Sequence, residues 1–200
     1  MTMEVLLIRH GSHDRLGHVL CGRMSGVRLS ETGRAEAEGV AAWVAARGRI
    51  DAVMSSPLER AVETAAPLAT RCGLQPEVDD DLSELDFGAW SGCGFDALRD
   101  QPLWQAWNLN RDHARPPGGE TFAEAQIRIV RSLDRLHRRF PDGRVAIVSH
   151  ADLIKAALAW ALGLPLAFYG RFEVSPASIS RIAIGPHGAR VLGINRTADL

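Results

Sequence analysis

Short apolar runs alternate along this chain with longer segments in which apolar residues recur at helical spacing. EVLLI (residues 4–8), DAVMSS (51–56) and RVAIVS (144–149) are compact runs typical of strands that are covered on both faces of a sheet. Helical spacing follows Ser30 and Pro57, so we predict one helix capped by Ser30 and another whose first turn contains Pro57. Strands that alternate with helices indicate an α/β domain with a mostly parallel sheet.

The second half of the chain continues this alternation and then ends differently. Thr121 and Glu124 have the spacing of a capping box, which predicts the start of a long amphipathic helix. The runs SISRIAI and ARVLGIN flank residues 185–188 and predict a closing hairpin. Residues 82–119 show no clear helical or strand pattern, so we expect them to form an irregular excursion that packs over the rest of the domain. No repeat or linker divides the sequence, and residues 1–200 are interpreted as a single domain.

Composition and charge argue against several classes of function. The net charge is −1 at pH 7, so there is no overall electrostatic case for binding nucleic acid or an anionic membrane. No apolar run reaches the ~20 residues of a membrane span, and the N-terminal segment does not resemble a signal peptide. Cys21, Cys72 and Cys93 lack metal-ligand spacing. These features together favour a reduced, cytoplasmic protein.

The predicted strands end in residues that carry chemistry. Arg9, His10 and Gly11 follow the first run, Arg60 lies just beyond the second, and His150 ends the third. Ligands of parallel sheets bind beyond the carboxyl ends of the strands, where these side chains would meet. A dense cationic cluster repels itself unless an anion binds, and guanidinium groups match phosphate oxygens. The pattern therefore predicts a phosphate site.

Four segments extend this prediction to a family. RHG (residues 9–11), SSPLERAVETA (55–65), LSELDFGAWSG (82–92) and VSHADLIKAAL (148–158) resemble, in this order, the signature segments of the histidine phosphatase superfamily. That superfamily contains the cofactor-dependent phosphoglycerate mutases and many phosphatases. The resemblance covers nearly the whole chain. It implies a phosphoglycerate mutase-like, three-layer α/β/α sandwich whose mostly parallel sheet has an antiparallel edge strand, with the 82–119 excursion over the active site.

The resemblance also implies roles for individual residues. His10 corresponds to the nucleophile that accepts the phosphoryl group, and Arg9, Arg60 and His150 correspond to the pocket that holds the phosphoryl oxygens. The attacking nitrogen of the imidazole must be unprotonated, so we expect a hydrogen bond at the other nitrogen to fix the tautomer. Glu84 corresponds to the proton donor, so we expect burial or neighbouring charges to raise its pKa. Neither a metal nor another cofactor is expected.

The segment after RHG departs from many members of the family, which continue with Glu-Thr and a later Asn. Gly11 is expected to allow a sharp turn close to the phosphate. Ser12, His13 and Arg23 are the candidates for additional contacts with the phosphate or the leaving group. The simpler alternative for His13 is a solvated loop position.

Simpler interpretations exist for the other residues as well. A histidine after a strand is often only a polar residue at the start of a solvated loop. Arg60 could form an ion pair with a glutamate of its own helix, and Glu84 lies in an acidic stretch that could be solvated. Asp152 is expected to cap the helix that follows His150. Trp90, Trp104, Trp107 and Phe95 either line the leaving-group pocket or form the core of the excursion.

The function predicted from these observations is hydrolysis of a small phosphorylated substrate through a phosphohistidine. The insert between residues 92 and 119 is short, and the GAWSG segment (residues 88–92) resembles that of the phosphatases. Both features favour a phosphatase over the alternative, a phosphoglycerate mutase-like transferase. A non-catalytic phosphate-binding domain is the alternative from another class. No nucleic-acid or membrane partner is expected, and neither the leaving group nor the oligomeric state can be read from the sequence.

Overall fold

The computed structural model describes residues 1–197, so the last three residues of the predicted domain lie outside the described part. The strands are β1 (Met3–Arg9), β2 (Ala52–Ser55), β3 (Glu77–Val78), β4 (Arg144–Ser149), β5 (Ile179–Gly185) and β6 (Gly188–Arg196). The helices are α1 (Glu31–Ala45), α2 (Glu59–Cys72), α3 (Phe95–Arg99), α4 (Pro102–Leu109), α5 (Phe122–Arg139) and α6 (Ala151–Leu162). Three 3₁₀ helices are also present, at Asp80–Leu82, Gly88–Trp90 and Leu166–Arg171.

The strands form one mixed sheet in the order β3-β2-β4-β1-β5-β6. β3, β2, β4 and β1 run parallel, whereas β5 is antiparallel to both of its neighbours. The predicted α/β fold, with a mostly parallel sheet and an antiparallel hairpin at one edge, is confirmed. β1 and β4 lie in the middle with Arg9 opposite Ser149, so the residues that follow both strands meet at one edge of the sheet.

The alternation of side chains along the central strands produces a core on each face of the sheet. On β1, Leu6 and Ile8 point into a cluster formed with helices α1 and α2. Val5 and Leu7 point to the opposite face, where α5, α6 and the segment 82–119 cover the sheet. Burial on both faces explains why the strands read as continuous apolar runs. No helix among residues 1–197 has both the length and the apolar character needed to cross a membrane.

Local capping signals determine where the helices begin. The Ser30 hydroxyl accepts a hydrogen bond from the amide of Gly33, and Thr121 and Glu124 form the predicted capping box. Helix α2 begins two residues after Pro57, which therefore lies outside its first turn. The prediction that Asp152 caps α6 is wrong. His150 occupies that position, because its carbonyl oxygen accepts the first helical bond, from the amide of Ile154.

The excursion at residues 82–119 is more regular than we expected, since it contains α3, α4 and a 3₁₀ helix. Its tryptophans pack against one another, with Trp104 and Trp107 stacked at 5.3 Å between ring centroids and Trp90 edge-on to both. Trp90 and Trp107 are buried. The tryptophans thus form the core of the excursion.

The turn after β1 lies directly against the first turn of α1. A Cβ atom on Gly11 would lie 2.5 Å from the Gly33 carbonyl oxygen, and a Cβ atom on Gly33 would overlap the carbonyl of Ser12. Gly11 does not have a positive φ angle. Gly11 therefore provides close backbone packing rather than the sharp turn that we expected. The contact fixes the position of the residues that follow His10.

We expect Gly33→Ala to destabilise the protein by about 2 kcal/mol or more, because the added methyl group must displace the backbone of Ser12. Alanine is a better helix former than glycine, so helix propensity alone predicts the opposite sign. Urea unfolding measures the difference. Gly170→Ala is the matched control, since a Cβ atom there meets open space. Equal stabilities of Gly33→Ala and the parent protein would contradict this packing argument.

Candidate active site

The predicted residues meet in one pocket at the carboxyl edge of the sheet. Arg9, His10, His13, Arg60 and Glu84 all line it. The β1–β4 pairing brings His150 to the same place, with its ring centroid 5.1 Å from that of His10. Residues separated by as many as 141 positions, Arg9 and His150, are therefore within reach of one small ligand.

The His10 imidazole is held in a defined tautomer. Its Nδ1 lies 2.8 Å from the carbonyl oxygen of Gly11, which only accepts hydrogen bonds, so we assign the proton to Nδ1. Nε2 then carries the lone pair, which accepts a hydrogen bond from Arg60 Nε at 3.3 Å. Burial lowers the pKa of His10 well below its usual value, and the charges of Arg60 and Arg9 lower it further. The ring is consequently a neutral base at physiological pH.

Arg60 is fixed by the backbone and is almost fully buried. Its Nη2 donates to the Gly22 carbonyl oxygen at 2.7 Å. Thr64 Oγ1 donates to the Arg60 carbonyl oxygen at 2.7 Å and accepts from the Gly11 amide at 3.0 Å, which ties α2 to the turn after His10. The glutamates of α2 bind backbone amides of the segment before α1 and make no hydrogen bond to Arg60. The alternative of a simple surface ion pair is therefore wrong.

Several nitrogens of this cluster are buried without a hydrogen-bond partner among residues 1–197. They are Arg9 Nε, Arg60 Nη1, His13 Nδ1 and His150 Nδ1. Each of these groups also makes a fixed contact elsewhere; for example, Arg9 Nη1 donates to Val174 and His150 Nε2 lies 2.8 Å from Ser56 Oγ. Burying polar groups without partners costs about 1–3 kcal/mol each. An oxyanion ligand would supply acceptors to such donors, and phosphate offers several.

Glu84 contributes a carboxyl group whose environment favours the protonated form. The side chain is buried, and its Oε1 accepts from the Leu85 amide at 2.9 Å. Burial raises the pKa of Glu84 to about 7, and the charge of Asp152 adds to this effect, although the Leu85 amide, Arg60 and Arg9 oppose it. The prediction of a raised pKa agrees with this environment, and the alternative of a solvated acidic loop does not.

An ion-pair network behind the pocket holds the backbone of Glu84. Its carbonyl oxygen accepts from Arg23 Nε at 2.9 Å and from Arg128 Nη2 at 3.0 Å. The Glu120 carboxylate binds both guanidinium groups, at 2.8 Å and 2.6 Å. We expected Arg23 to contact the phosphate or the leaving group. The structure corrects this, because Arg23 is committed to the network and does not line the pocket.

The other predicted substrate contacts divide into two groups. The amide and hydroxyl of Ser12 donate to Glu36 at 2.7 Å and 2.9 Å, so Ser12 shapes the loop and does not line the pocket. His13 does line it, and its ring stacks on that of His10 at 5.4 Å. Burial, with Arg60 and Arg9, lowers the pKa of His13 to about 4. The solvated-loop alternative for His13 is therefore wrong.

Sequence reasoning missed four functional side chains: Glu36, Thr64, Glu120 and Asp152. Thr64 and Asp152 lie within quoted segments, but Thr64 binds the Gly11 amide 53 positions away and Glu120 binds Arg23 97 positions away. Asp152 lines the pocket and its Oδ1 accepts from Arg111 Nη1 at 3.1 Å. No local pattern distinguishes these residues from ordinary surface carboxylates or hydroxyls.

The rest of the pocket is mostly apolar. Its apolar side chains are Leu16, Val19, Leu20, Phe87 and Phe95. Of the aromatic residues that we considered for the leaving-group pocket, Phe95 alone lines it within the described chain, while the three tryptophans pack behind Phe87 and Phe95. The described residues contain no cluster of three or more potential metal ligands.

Comparison with known proteins gives a consistent family. The model of the histidine phosphatase superfamily (branch 1) matches residues 5–197. A bifunctional protein of Mycobacterium tuberculosis is 37% identical over 200 residues, which cover 98% of this chain and 55% of the relative. The chain thus spans about half the length of that relative.

Solved structures agree over the full length of both chains. Mycobacterial glucosyl-3-phosphoglycerate phosphatase has a TM-score of 0.86 at 27% identity and covers 98% of this chain and 99% of its own. The α-ribazole phosphatase of Shigella flexneri has a TM-score of 0.86 at 27% identity, with 98% of both chains covered.

The raised pKa of Glu84 makes a prediction about stability. A carboxyl group whose pKa is higher in the folded state stabilises the fold at low pH, and this contribution is lost as the pH rises toward the folded pKa of about 7. Glu84→Gln cannot ionise there. Its free energy of unfolding relative to the parent should therefore increase by roughly 2–3 kcal/mol from pH 5 to pH 8.

Urea unfolding at both pH values measures this difference. Asp96→Asn, which removes a carboxylate that is 92% exposed, is the control for general charge effects. A constant difference between Glu84→Gln and the parent would show that Glu84 is not protonated in the folded protein at pH 5–7.

Proposed function

Because this chain belongs to the histidine phosphatase superfamily, we propose that it hydrolyses phosphomonoesters through a phosphohistidine formed at His10. The observation that carries this proposal is the His10 ring, which is neutral and protonated on Nδ1, so that the lone pair lies on Nε2, where it accepts a hydrogen bond from Arg60. The solved phosphatases that share the fold over their full length give further support.

In the first step, His10 Nε2 attacks phosphorus and a P–N bond forms while the P–O ester bond breaks. The Glu84 carboxyl group transfers its proton to the departing oxygen, which leaves as an alcohol. A pKa of about 7 suits this task, because a substantial fraction of the group is protonated at neutral pH, whereas an ordinary glutamate is almost fully ionised there. The attack places positive charge on His10, and its Nδ1–H bond to Gly11 stabilises that charge.

In the second step, a water molecule attacks the phosphohistidine. The Glu84 carboxylate takes a proton from the water, the P–N bond breaks, and inorganic phosphate leaves with the starting protonation of Glu84 restored. Arg9, Arg60 and His150 hold the phosphoryl oxygens during both steps. Their unpartnered nitrogens support this role, as does their position, since Arg60 and His150 are buried and Arg9 is partly buried, and electrostatic stabilisation is strongest where water is excluded. His13 is proposed as an additional contact with the bound phosphate.

We expect His10→Ala to lower kcat/KM for any monoester by roughly 10³-fold or more, since alanine cannot accept the phosphoryl group. Phosphate release from 4-nitrophenyl phosphate, with and without EDTA, measures the loss and tests the expected metal independence. His18→Ala, which removes an exposed imidazole of the same loop, is the control. Phosphate release by His10→Ala at the parental rate would overturn the assignment. Release that ends with EDTA would overturn metal independence.

Glu84→Gln should affect substrates according to their leaving groups. For an alkyl phosphate the loss of the acid should cost on the order of 10²–10⁴ in kcat/KM. For 4-nitrophenyl phosphate, whose leaving group needs little protonation, the loss should be much smaller. Equal losses for both esters would remove Glu84 from the role of acid. A parallel assay of 3-phosphoglycerate with 2,3-bisphosphoglycerate distinguishes a mutase, which would isomerise without net release of phosphate.

A further inference from the structure

The part of the pocket beyond the phosphate donors, which would hold the leaving group, combines apolar side chains with a charged one. Apart from the proposed acid Glu84 and the thiol of Cys21, its lining is apolar except for the carboxylate of Asp152. Arg9 and Arg60 are the lysine or arginine side chains among the described lining residues, and both are proposed to face the phosphoryl group. A dianionic phosphate would balance these two charges. The carboxylate of Asp152 would then be the charged lining group that faces the remainder of a substrate.

Asp152 is held in place by a cation that itself stays out of the pocket. The two side chains are 12% exposed for Arg111 and 17% exposed for Asp152, and they pair through Oδ1 of the carboxylate. The Arg111 guanidinium lies between two aromatic rings, 3.8 Å from the centroid of Trp107 and 4.3 Å from that of Tyr169. It does not line the pocket, whereas Asp152 does. The ion pair therefore presents its negative end to the ligand.

From this arrangement we propose that Asp152 is a specificity-determining residue that selects against monoesters whose leaving group carries a carboxylate or another anion. The inference rests on the proposed function and deepens it. The favoured substrates are esters of neutral, largely apolar or aromatic alcohols. Phe87 and Phe95 would pack on such a group.

The size of the effect follows from Coulomb's law at short range. Two like charges several ångströms apart near a protein surface repel each other strongly enough to change affinity by on the order of tenfold or more. Arg15 on the nearby loop is exposed and does not line the pocket, so water screens its charge more than that of Asp152.

The test compares esters that differ mainly in charge. Wild-type kcat/KM for glycerol 3-phosphate should exceed that for 3-phosphoglycerate by roughly tenfold or more, and phenyl phosphate should be preferred to 4-carboxyphenyl phosphate in the same way. In Asp152→Asn both preferences should shrink to near unity. The charge of Asp152 also raises the pKa of Glu84. A change in the pKa of Glu84 affects both esters of a pair. The ratio of their kcat/KM values therefore reports selectivity separately from acid catalysis.

Asp96→Asn is the control, because it removes an equal charge from the exposed surface and should keep both preferences. The wild-type ratios need no variant and remain decisive if Asp152→Asn does not fold. A wild-type enzyme that hydrolyses the anionic esters as well as the neutral ones would overturn the proposal, as would preferences that survive in Asp152→Asn. Failure to hydrolyse any of the four esters would instead count against the proposed function itself.

Discussion

Exclusion of water from the carboxyl edge of the sheet is the constraint on which the site depends. Burial disfavours the charged form of every group, and this has opposite consequences for an imidazole and a carboxyl group. His10 is therefore neutral, with a lone pair on Nε2. The pKa of Glu84 is raised to about 7, so its carboxyl group stays protonated below that pH. A base and an acid therefore coexist at the same pH without any direct hydrogen bond between them. The neighbouring guanidinium groups reinforce the neutral state of His10 and oppose the protonation of Glu84, so burial decides the outcome at Glu84.

The fold maintains this buried cluster by connecting it to rigid elements on several sides. The parallel pairing of β1 with β4 sets the distance between His10 and His150, and the His10 amide itself donates to the Ser149 carbonyl oxygen. Thr64 links α2 to the turn after His10. On the opposite side, Arg128 and its partners hold the carbonyl oxygen of Glu84. These contacts are made largely by backbone groups, so the positions of the reactive atoms depend on the sheet and its helices more than on flexible side chains.

Local patterns were sufficient to predict β1, β2, β4 and the long helices, and to predict that His10 and His150 meet at one edge of the sheet. Apolar runs marked β1 and β4 because both strands are buried on two faces, and the chemistry at their ends pointed to His10 and His150. The prediction for Arg23 failed because its partner Glu120 lies 97 positions away, and no local pattern encodes such a pairing. Asp152 was interpreted as a cap because its position after a strand suits one. Its actual partner comes from the excursion, whose helices the sequence did not reveal.

The charge of Asp152 affects both the protonation of Glu84 and the choice of substrate. Its carboxylate adds to the effect of burial on Glu84, and it also faces the space available to a leaving group. A cationic leaving group would be attracted to Asp152, but by neutralising that charge it would weaken the support for protonated Glu84. An anionic leaving group would leave the acid protonated and would be repelled. A neutral leaving group avoids both penalties, so the arrangement that favours proton donation also favours neutral alcohols as products. In this pocket, the charge that helps to keep Glu84 protonated and the charge that restricts the substrate belong to one side chain.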